Sequence, residues 1–304
     1  MSSPENYQEL RTRWLGRYLS VQSKTDTKFR SALIDAAEQA YSQVIALEKK
    51  TIFSAGVKAA QLRLVMQQVQ SVHNELFKKF IPLVGEGQKQ SASAAVTAFS
   101  ETDIDYLRAA FNASQGSGAS VNDFIEGQRK QAMLGVVHTL SRIYESDQPL
   151  STRVYRTKNL ANNWVKNQVN SAILRNASAK EIAMAVRKSI RPDTPGGVSY
   201  AALRLGRTEL NNAFHATSIA LAQDRPWVIG MEWNLSKVHE FSSDSVTPEV
   251  CEVYAAREFT VDNVPKKPHP LCRCFTTPKT EPMTSFVAHL TAGTYRDWME
   301  RNAA

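Results

Sequence analysis

Apolar residues recur every three or four positions over the first third of the chain, the spacing that places them on one face of an α-helix. The recurring positions are Phe29, Leu33, Ala36, Ala40, Val44 and Leu47, followed by Leu62, Val65, Val69, Val72, Leu76 and Phe80. The pattern predicts helix over about 26–80, as two long helices or one interrupted helix with a bend at Gly56. Pro82, Gly85 and Gly87 are expected to end it. We interpret the apolar face as packing core.

Five further stretches have helical patterning, separated by residues that favour turns. The predicted helices cover about 91–113, a stretch that starts near Ser120 and reaches about Tyr144, 152–175, 178–190 and 200–223. Ser178 and Glu181 form a capping box at the start of the fourth of these segments. The intervening Gln115–Gly118, Asp147–Pro149 and Pro192–Gly197 segments are rich in Gly, Pro and polar residues, which favours loops.

The character of the sequence changes near residue 225. Short apolar patches around Trp233 and Phe259 alternate with clustered prolines, which predicts short strands and irregular loops. A last helix is expected over 285–301. The predicted fold is mainly α: a long helical bundle or extended helical hairpins, followed by a small α+β, Cys/His-containing C-terminal module. The predicted regions are an N-terminal helical region (1–115), a basic helical region (116–225) and the C-terminal module (226–304).

The net charge of +8 is concentrated in one segment. Residues 151–207 carry eleven Lys and Arg against only Glu181 and Asp193, a local charge of +9. Such a segment favours a polyanion partner, most often nucleic acid. A solvated helix face beside an acidic protein partner remains the alternative. The candidate DNA-binding residues are Arg153, Arg156, Lys158, Lys166, Arg175, Arg187, Lys188 and Arg191.

The beginning of the chain lacks the basic start and apolar stretch of a signal peptide. No apolar run approaches the length that crosses a bilayer, so we expect synthesis in a cytoplasm and no membrane partner. Only three cysteines occur, and this odd number argues against a disulfide framework.

The sharpest local feature is the C-terminal sequence His269-Pro270-Leu271-Cys272-Arg273-Cys274, with Cys251 upstream. Three thiols and one imidazole match the donors of a closed structural zinc site, so Zn²⁺ is the predicted cofactor, bound by Cys251, His269, Cys272 and Cys274. His239 and Asp244 are reserve ligands. Two alternatives stay open: the thiols are buried small hydrophobic side chains, or Cys251 forms a disulfide with one of the others.

A second feature is Arg207-Thr208-Glu209 in the last long helix, with Asn211 and His215 one and two turns after Arg207. Residues four apart share a helix face. A catalytic role for Glu209 as acid or base needs a partner that the sequence does not identify. We therefore interpret Arg207 and Glu209 as structural residues that fix this helix against the C-terminal module.

These features occur in a characteristic order. The Arg207–Glu209 helix is followed by Trp233 in a strand, a turn from Asp244 to Cys251, and Phe259 in a second strand. The proline-rich Pro265–Pro268 loop then ends in His269-Pro270-Leu271-Cys272-Arg273-Cys274. Over about 130–280 this order resembles the phage head-morphogenesis family, the minor head proteins similar to the F protein of phage Mu. Many members have a second cysteine where this chain has Tyr254.

The resemblance implies a minor head, or minor capsid, protein of a bacteriophage. Such a protein is a virion component that acts in head morphogenesis, associates with the portal or the capsid shell, and contacts packaged double-stranded DNA without sequence preference. It would lie in the head interior near the portal after assembly in the host cytoplasm. The family implies no catalysis. The competing hypothesis is a metal-dependent nuclease or toxin-like hydrolase that uses His239, Asp244, Glu209 and His269.

Overall fold

The computed structural model describes residues 4–50, 58–113, 126–136, 140, 150–175, 179–192, 198–236, 249–255, 257–270 and 272–302. Its helices are α1 (Pro4–Lys50), α2 (Lys58–Ala113), α3 (described over 126–136), α4 (Leu150–Leu174), α5 (Ala179–Ile190), α6 (Val198–Asp224), α7 (Val250–Ala255), α8 (Met283–Thr291) and α9 (Arg296–Asn302). The strands are β1 (Val228–Asn234), β2 (Glu258–Phe259) and β3 (Phe275–Thr280). The predicted mainly α fold with a small α+β module is confirmed. None of the described helices is apolar enough over a sufficient length to cross a bilayer.

The chain divides into two compact units, each built from separate stretches of sequence. The sheet-bearing unit comprises 1–22, 87–146 and 208–304, and the helical unit comprises 23–86 and 147–207. The boundaries predicted near 115 and 225 concern sequence regions and stay predictions.

Helix α2 continues where the sequence predicted an end. Pro82 lies inside it, and Gly85 and Gly87 do not interrupt it, so the expected break at 82–87 is wrong. Phe80 and Val84, on either side of the proline, are both fully buried. Burying one such side chain contributes about 1.5–3 kcal/mol, so several together outweigh the cost of roughly 3 kcal/mol for an internal proline. The bend predicted at Gly56 lies outside the described residues.

The helical unit has the apolar core that the periodicity predicted. Along α1, the side chains of Phe29, Leu33 and Ala40 are fully buried. Phe29 packs against Phe80 of α2, with ring centroids 4.7 Å apart. Gly206 of α6 lies directly against the Phe29 ring, where an added Cβ would clash with that ring. A side chain at position 206 would therefore push the aromatic core of this unit apart.

The sheet-bearing unit contains one antiparallel sheet of three strands in the order β2-β1-β3. Met231 of β1 pairs with Phe259 of β2, and Asn234 of β1 pairs with Phe275 of β3. Since Cys274 directly precedes β3, the pairing of β1 with β3 fixes where that cysteine enters the module.

An aromatic cluster closes the C-terminal end of the same unit. Trp227 makes edge contacts with Phe286, Tyr295 and Trp298, at centroid distances of 5.5, 5.8 and 4.6 Å. The single helix predicted over 285–301 is wrong: two helices, α8 and α9, are present. Gly293 separates them with a φ of 75°, a conformation that glycine adopts without a Cβ penalty.

Candidate metal centre

Three of the four predicted ligands converge in the sheet-bearing unit. The ligand atoms of Cys251, His269 and Cys272 all lie within 4.8 Å of one another. The Cys251 Sγ is 3.4 Å from the His269 Nε2 and 3.5 Å from the Cys272 Sγ. Cys251 and Cys272 are buried, whereas His269 is exposed. This group could hold a metal ion.

Local sequence explains how these three residues reach one place. Glu249 caps the start of α7: its Oε2 accepts from the Cys251 N–H at 2.8 Å, and Glu252 accepts from the Glu249 N–H at 3.1 Å. On the other side, the Cys272 N–H donates to the His269 carbonyl at 3.3 Å and closes a tight turn. Pro270 favours such a turn because its ring fixes φ.

Cys274 belongs to the same buried cluster as Cys251, Cys272 and Trp233. Its thiol shares hydrogen bonds with the thiols of Cys272 and Cys251. The structure therefore brings the fourth predicted ligand against the other two sulfurs, although it is not in the set whose ligand atoms all lie within 4.8 Å. All three cysteines are free thiols, so Cys251 forms no disulfide with Cys272 or Cys274 in this structure.

His269 presents its Nε2 to Cys251. Its Nδ1 lies 3.0 Å from the Pro270 carbonyl, which accepts a hydrogen bond from the Nδ1–H. Binding of a metal through Nε2 would require that this atom carries no proton. The Glu249 Oε1 lies 3.1 Å from the same Nε2, a carboxylate neighbour that sequence reasoning missed.

The three thiols differ in their electrostatics. The hydrogen bond with Cys274 is the main cause that lowers the pKa of Cys272, helped by the charge of Lys267 against the opposing effect of burial. Burial raises the pKa of Cys251 to about 12. The hydrogen bond with Cys272, followed by burial, raises the pKa of Cys274. The three sulfurs therefore differ in how readily each loses its proton, and Cys272 loses it most readily.

Lys267 is half-buried beside this cluster. Its Nζ donates to the Cys274 carbonyl and lies 4.9 Å from the centroid of the Trp233 ring. Burial lowers the pKa of Lys267 to about 8, while the charges of the three cysteines act in the opposite direction. Sequence alone does not distinguish Lys267 from Lys266, whereas in the structure Lys266 is exposed and Lys267 is half-buried.

Helix α6 binds the backbone of the ligand loop through Asn211 and His215. The Asn211 amide donates to the Cys272 carbonyl, and the His215 Nε2–H donates to the Pro265 carbonyl at 2.9 Å. The His215 Nδ1 then accepts from the Thr276 hydroxyl at 3.3 Å. Burial lowers the pKa of His215 to about 3, which keeps the ring neutral. These two residues anchor the loop on either side of His269.

Arg207 and Glu209 each have a polar partner within their own unit. Arg207, in the helical unit, binds Asp26 of α1 through two hydrogen bonds of 2.7 and 2.8 Å. Glu209, in the sheet-bearing unit, is fully buried and accepts a hydrogen bond from Gln88 of α2 at 3.3 Å. These contacts are compatible with a structural role for both residues.

Trp233 and Tyr254 fill the space next to the thiols. Their rings meet edge to face at 5.1 Å, and Tyr254 also contacts Phe259 at 5.8 Å. The position where many members of the resembled family have a second cysteine is therefore an aromatic packing position in this chain. The reserve ligands His239 and Asp244 lie outside the described residues.

The candidate DNA-binding residues lie in the helical unit and have different surroundings. Arg187 forms an ion pair with Glu38 at 2.6 Å and lies over the Tyr41 ring. The Arg175 side chain donates a hydrogen bond to the Ser171 carbonyl, four residues earlier. The side chains of Arg156, Lys166 and Lys188 are exposed, whereas those of Arg153, Lys158 and Arg191 are half-buried. Arg156 and Lys166, the exposed cations of α4, are therefore the best-supported candidates for DNA contact in the predicted set.

No protein-family model, curated protein or solved structure matches this chain.

Proposed function

We propose that this protein is a bacteriophage minor head protein whose C-terminal module is held together by a structural zinc ion. The observation that carries the proposal is the convergence of Cys251, His269 and Cys272 beneath the helix that bears Arg207-Thr208-Glu209. The resemblance to the head-morphogenesis family rests on the same elements in the same order. The contacts supply a physical reason for that order, because α6 anchors the loop that contains the ligands.

The donor set fits zinc. Zinc–sulfur bonds of about 2.3 Å in a tetrahedron place two sulfurs roughly 3.7 Å apart. The Cys251 and Cys272 sulfurs are 3.5 Å apart, so little movement is needed. Cys251, His269, Cys272 and Cys274 would complete the shell, with Cys274 moving the most. Binding to the folded module would add directly to its folding free energy.

Contact with DNA is proposed for one face of α4. Arg156, Asn159, Asn163, Lys166 and Asn170 are exposed and follow one another at intervals of three and four, so they share a face. The whole helix contains no acidic residue. Lys and Arg neutralise phosphates, and amide side chains donate hydrogen bonds to phosphate oxygens. This composition suits the backbone of duplex DNA without sequence preference.

A hydrolase is the less favoured alternative. Catalytic zinc keeps an open position beside a general base. Three thiols and one imidazole would close the shell, and Glu209, the proposed base, is buried in a contact with Gln88. Metal-dependent cleavage of DNA by the purified chain, lost in Glu209→Ala with the fold intact, would support the alternative.

The head assignment is tested on particles from cells that produce this chain. DNA-filled heads are purified and analysed by quantitative mass spectrometry, with the portal protein as the copy-number standard. We expect a few copies per particle, protected from added protease until the head is opened. Absence of the chain from DNA-filled heads contradicts the assignment.

A further inference from the structure

Cys251 and Cys272 hold their thiols against each other. The two sulfurs are 3.5 Å apart, both side chains are buried, and both are free thiols. Cys251 belongs to α7, whereas Cys272 lies in the turn that follows His269. Since the sulfurs of a disulfide are about 2.05 Å apart, an approach of about 1.5 Å separates this thiol pair from a covalent bond.

A bond at this point would connect the same two segments that a metal ion would connect. Zinc bound by Cys251, His269 and Cys272 ties α7 to the ligand loop, and a disulfide between the two cysteines ties them without metal. The two links exclude each other, because zinc binds thiolates and a disulfide contains none. The module is therefore closed either by metal or by oxidation.

We propose that Cys251 and Cys272 form a redox switch: the pair binds zinc in a reducing compartment and becomes a disulfide when the metal-free chain meets an oxidant. This inference rests on the zinc site and the virion location proposed above. Thiols stay reduced in the cytosol, whereas disulfides persist on virions and outside cells. A chain that leaves the cytoplasm thus keeps its C-terminal module linked even where zinc is lost.

Hydrogen peroxide supplies the oxidising equivalents in the simplest form of this step. One thiolate sulfur attacks a peroxide oxygen: an S–O bond forms, the O–O bond breaks, and hydroxide leaves and takes up the proton released by that thiol. The second sulfur attacks the sulfenic sulfur: the S–S bond forms, the S–O bond breaks, and water leaves with the second thiol proton. The two sulfurs lose two electrons and two protons, and one peroxide becomes two waters.

Cys274 supplies a control within the same cluster. It is also a buried free thiol beside the other two. Only one residue separates it from Cys272, so a bond between these two would close a very short loop and would connect no two elements. In the metal-free chain, Cys274→Ser should still form the disulfide and Cys251→Ser should not.

The experiment uses the full chain, stripped of metal with a chelator and then freed of reductant. A small excess of hydrogen peroxide is added to metal-free and zinc-loaded samples, and the remaining thiols are counted. Metal-free wild type should lose two of its three free thiols, while the zinc-loaded chain should keep all three. A thiol reductant should restore the lost thiols. The oxidised metal-free chain should unfold at a higher temperature than the reduced metal-free chain.

Tryptic peptides identify the bonded pair in wild type, whether or not the variants fold. Trypsin cleaves after Arg273 and so places Cys272 and Cys274 in different peptides. A linked peptide that contains Cys251 and Cys272 supports the proposal, and a link through Cys274 overturns the assignment of the pair.

Two further results overturn the switch. If metal-free wild type keeps three thiols, or forms only sulfinic and sulfonic acids, the switch is wrong while the zinc site stands. If wild type binds no zinc, the exchange between metal and disulfide fails together with the zinc site, even where the disulfide forms.

Discussion

The two units of this protein are stabilised by different chemistry. In the helical unit, the buried face of α1 consists of apolar side chains such as Phe29, Leu33 and Val44. In the C-terminal part of the sheet-bearing unit, the buried groups around β1 and β3 include three thiols and a neutral histidine. The helical unit depends on apolar area, and so does the aromatic cluster around Trp227, whereas the cluster of Cys251, Cys272 and Cys274 depends on satisfied polar contacts and, in our account, on a metal.

This contrast has a physical basis in size. The module after residue 225 has a sheet of three strands, one of only two residues. Isolated elements of this size have little core, and small domains commonly need a metal or a covalent link. A long helix with an apolar stripe needs neither, since each turn adds further buried area.

Metal removal should produce the largest difference between the units. A chelator added to the zinc-loaded full chain is expected to increase amide hydrogen exchange in α7, β2 and β3 by orders of magnitude, because the binding free energy is lost from the module. Exchange in α4 and α5 is expected to change little. Equal loss of protection in both units would remove the distinction.

A core substitution in the helical unit should have the opposite effect: it should destabilise the helical unit and leave the metal site unchanged. Leu33→Ala removes a fully buried side chain from the helical unit and should lower the free energy of unfolding by about 2–5 kcal/mol. Ile34→Ala is the matched control, since the neighbouring Ile34 is 36% exposed and its replacement should cost much less. Urea unfolding measures both. Zinc affinity should remain that of wild type in the two variants, and a loss of zinc with Leu33→Ala would contradict the separation.

The pair of Asp26 and Arg207 gives the helical unit a dependence on pH. Burial alone would raise the pKa of Asp26, but the hydrogen bonds and charges of Arg207 and Arg30 outweigh it and lower the pKa. The stabilisation is therefore complete above the ordinary value of 3.8 and is lost as the pH falls through the lowered pKa. Asp26→Asn should cost about 1–3 kcal/mol at pH 7.

Measurement at two pH values separates this effect from packing. The difference in unfolding free energy between wild type and Asp26→Asn should shrink once the pH is well below 3.8, where the wild-type carboxyl is protonated as well. An undiminished difference in acid would mean that the charge of Asp26 contributes nothing.

The smallest effect on stability, and the largest on binding, is expected from α4. Arg156→Glu with Lys166→Glu should leave the thermal transition unchanged and abolish most duplex binding at low salt. Lys78→Glu with Lys79→Glu changes the net charge equally at two other exposed positions of the helical unit and should reduce binding only slightly. Fluorescence anisotropy with two unrelated duplexes measures this, and wild-type affinity that does not fall with salt would refute the phosphate contacts.

Local periodicity predicted the helices well, and long-range contacts explain where prediction failed. The stripe from Phe29 to Phe80 was correct as a buried face, but the end predicted at Pro82 was wrong because tertiary packing outweighs the proline penalty. The positive φ of Gly293, which splits the last helix, has no signature beyond the glycine itself. Such features depend on neighbours that are distant in the sequence.

The same limit applies to the site. The donor types of Cys251, His269 and Cys272 predicted a candidate metal site, because thiolate sulfur and imidazole nitrogen are the donors that Zn²⁺ takes in structural sites. Asn211 and His215 were noticed only as helix neighbours of Arg207, and their bonds to the loop carbonyls could not be inferred from spacing. Lys267 is distinguished from Lys266 only by its contacts with the Cys274 carbonyl and the Trp233 ring, which depend on the fold.

The most direct test of the account is the zinc content of the full chain, purified under reducing conditions and measured by elemental analysis. Wild type is predicted to hold about one zinc per chain, and Cys272→Ser is predicted to lose it together with protection from exchange in β2 and β3. Wild type with no zinc and an unaltered thermal transition in Cys272→Ser would contradict the account. The thiols and His269 would then be packing residues.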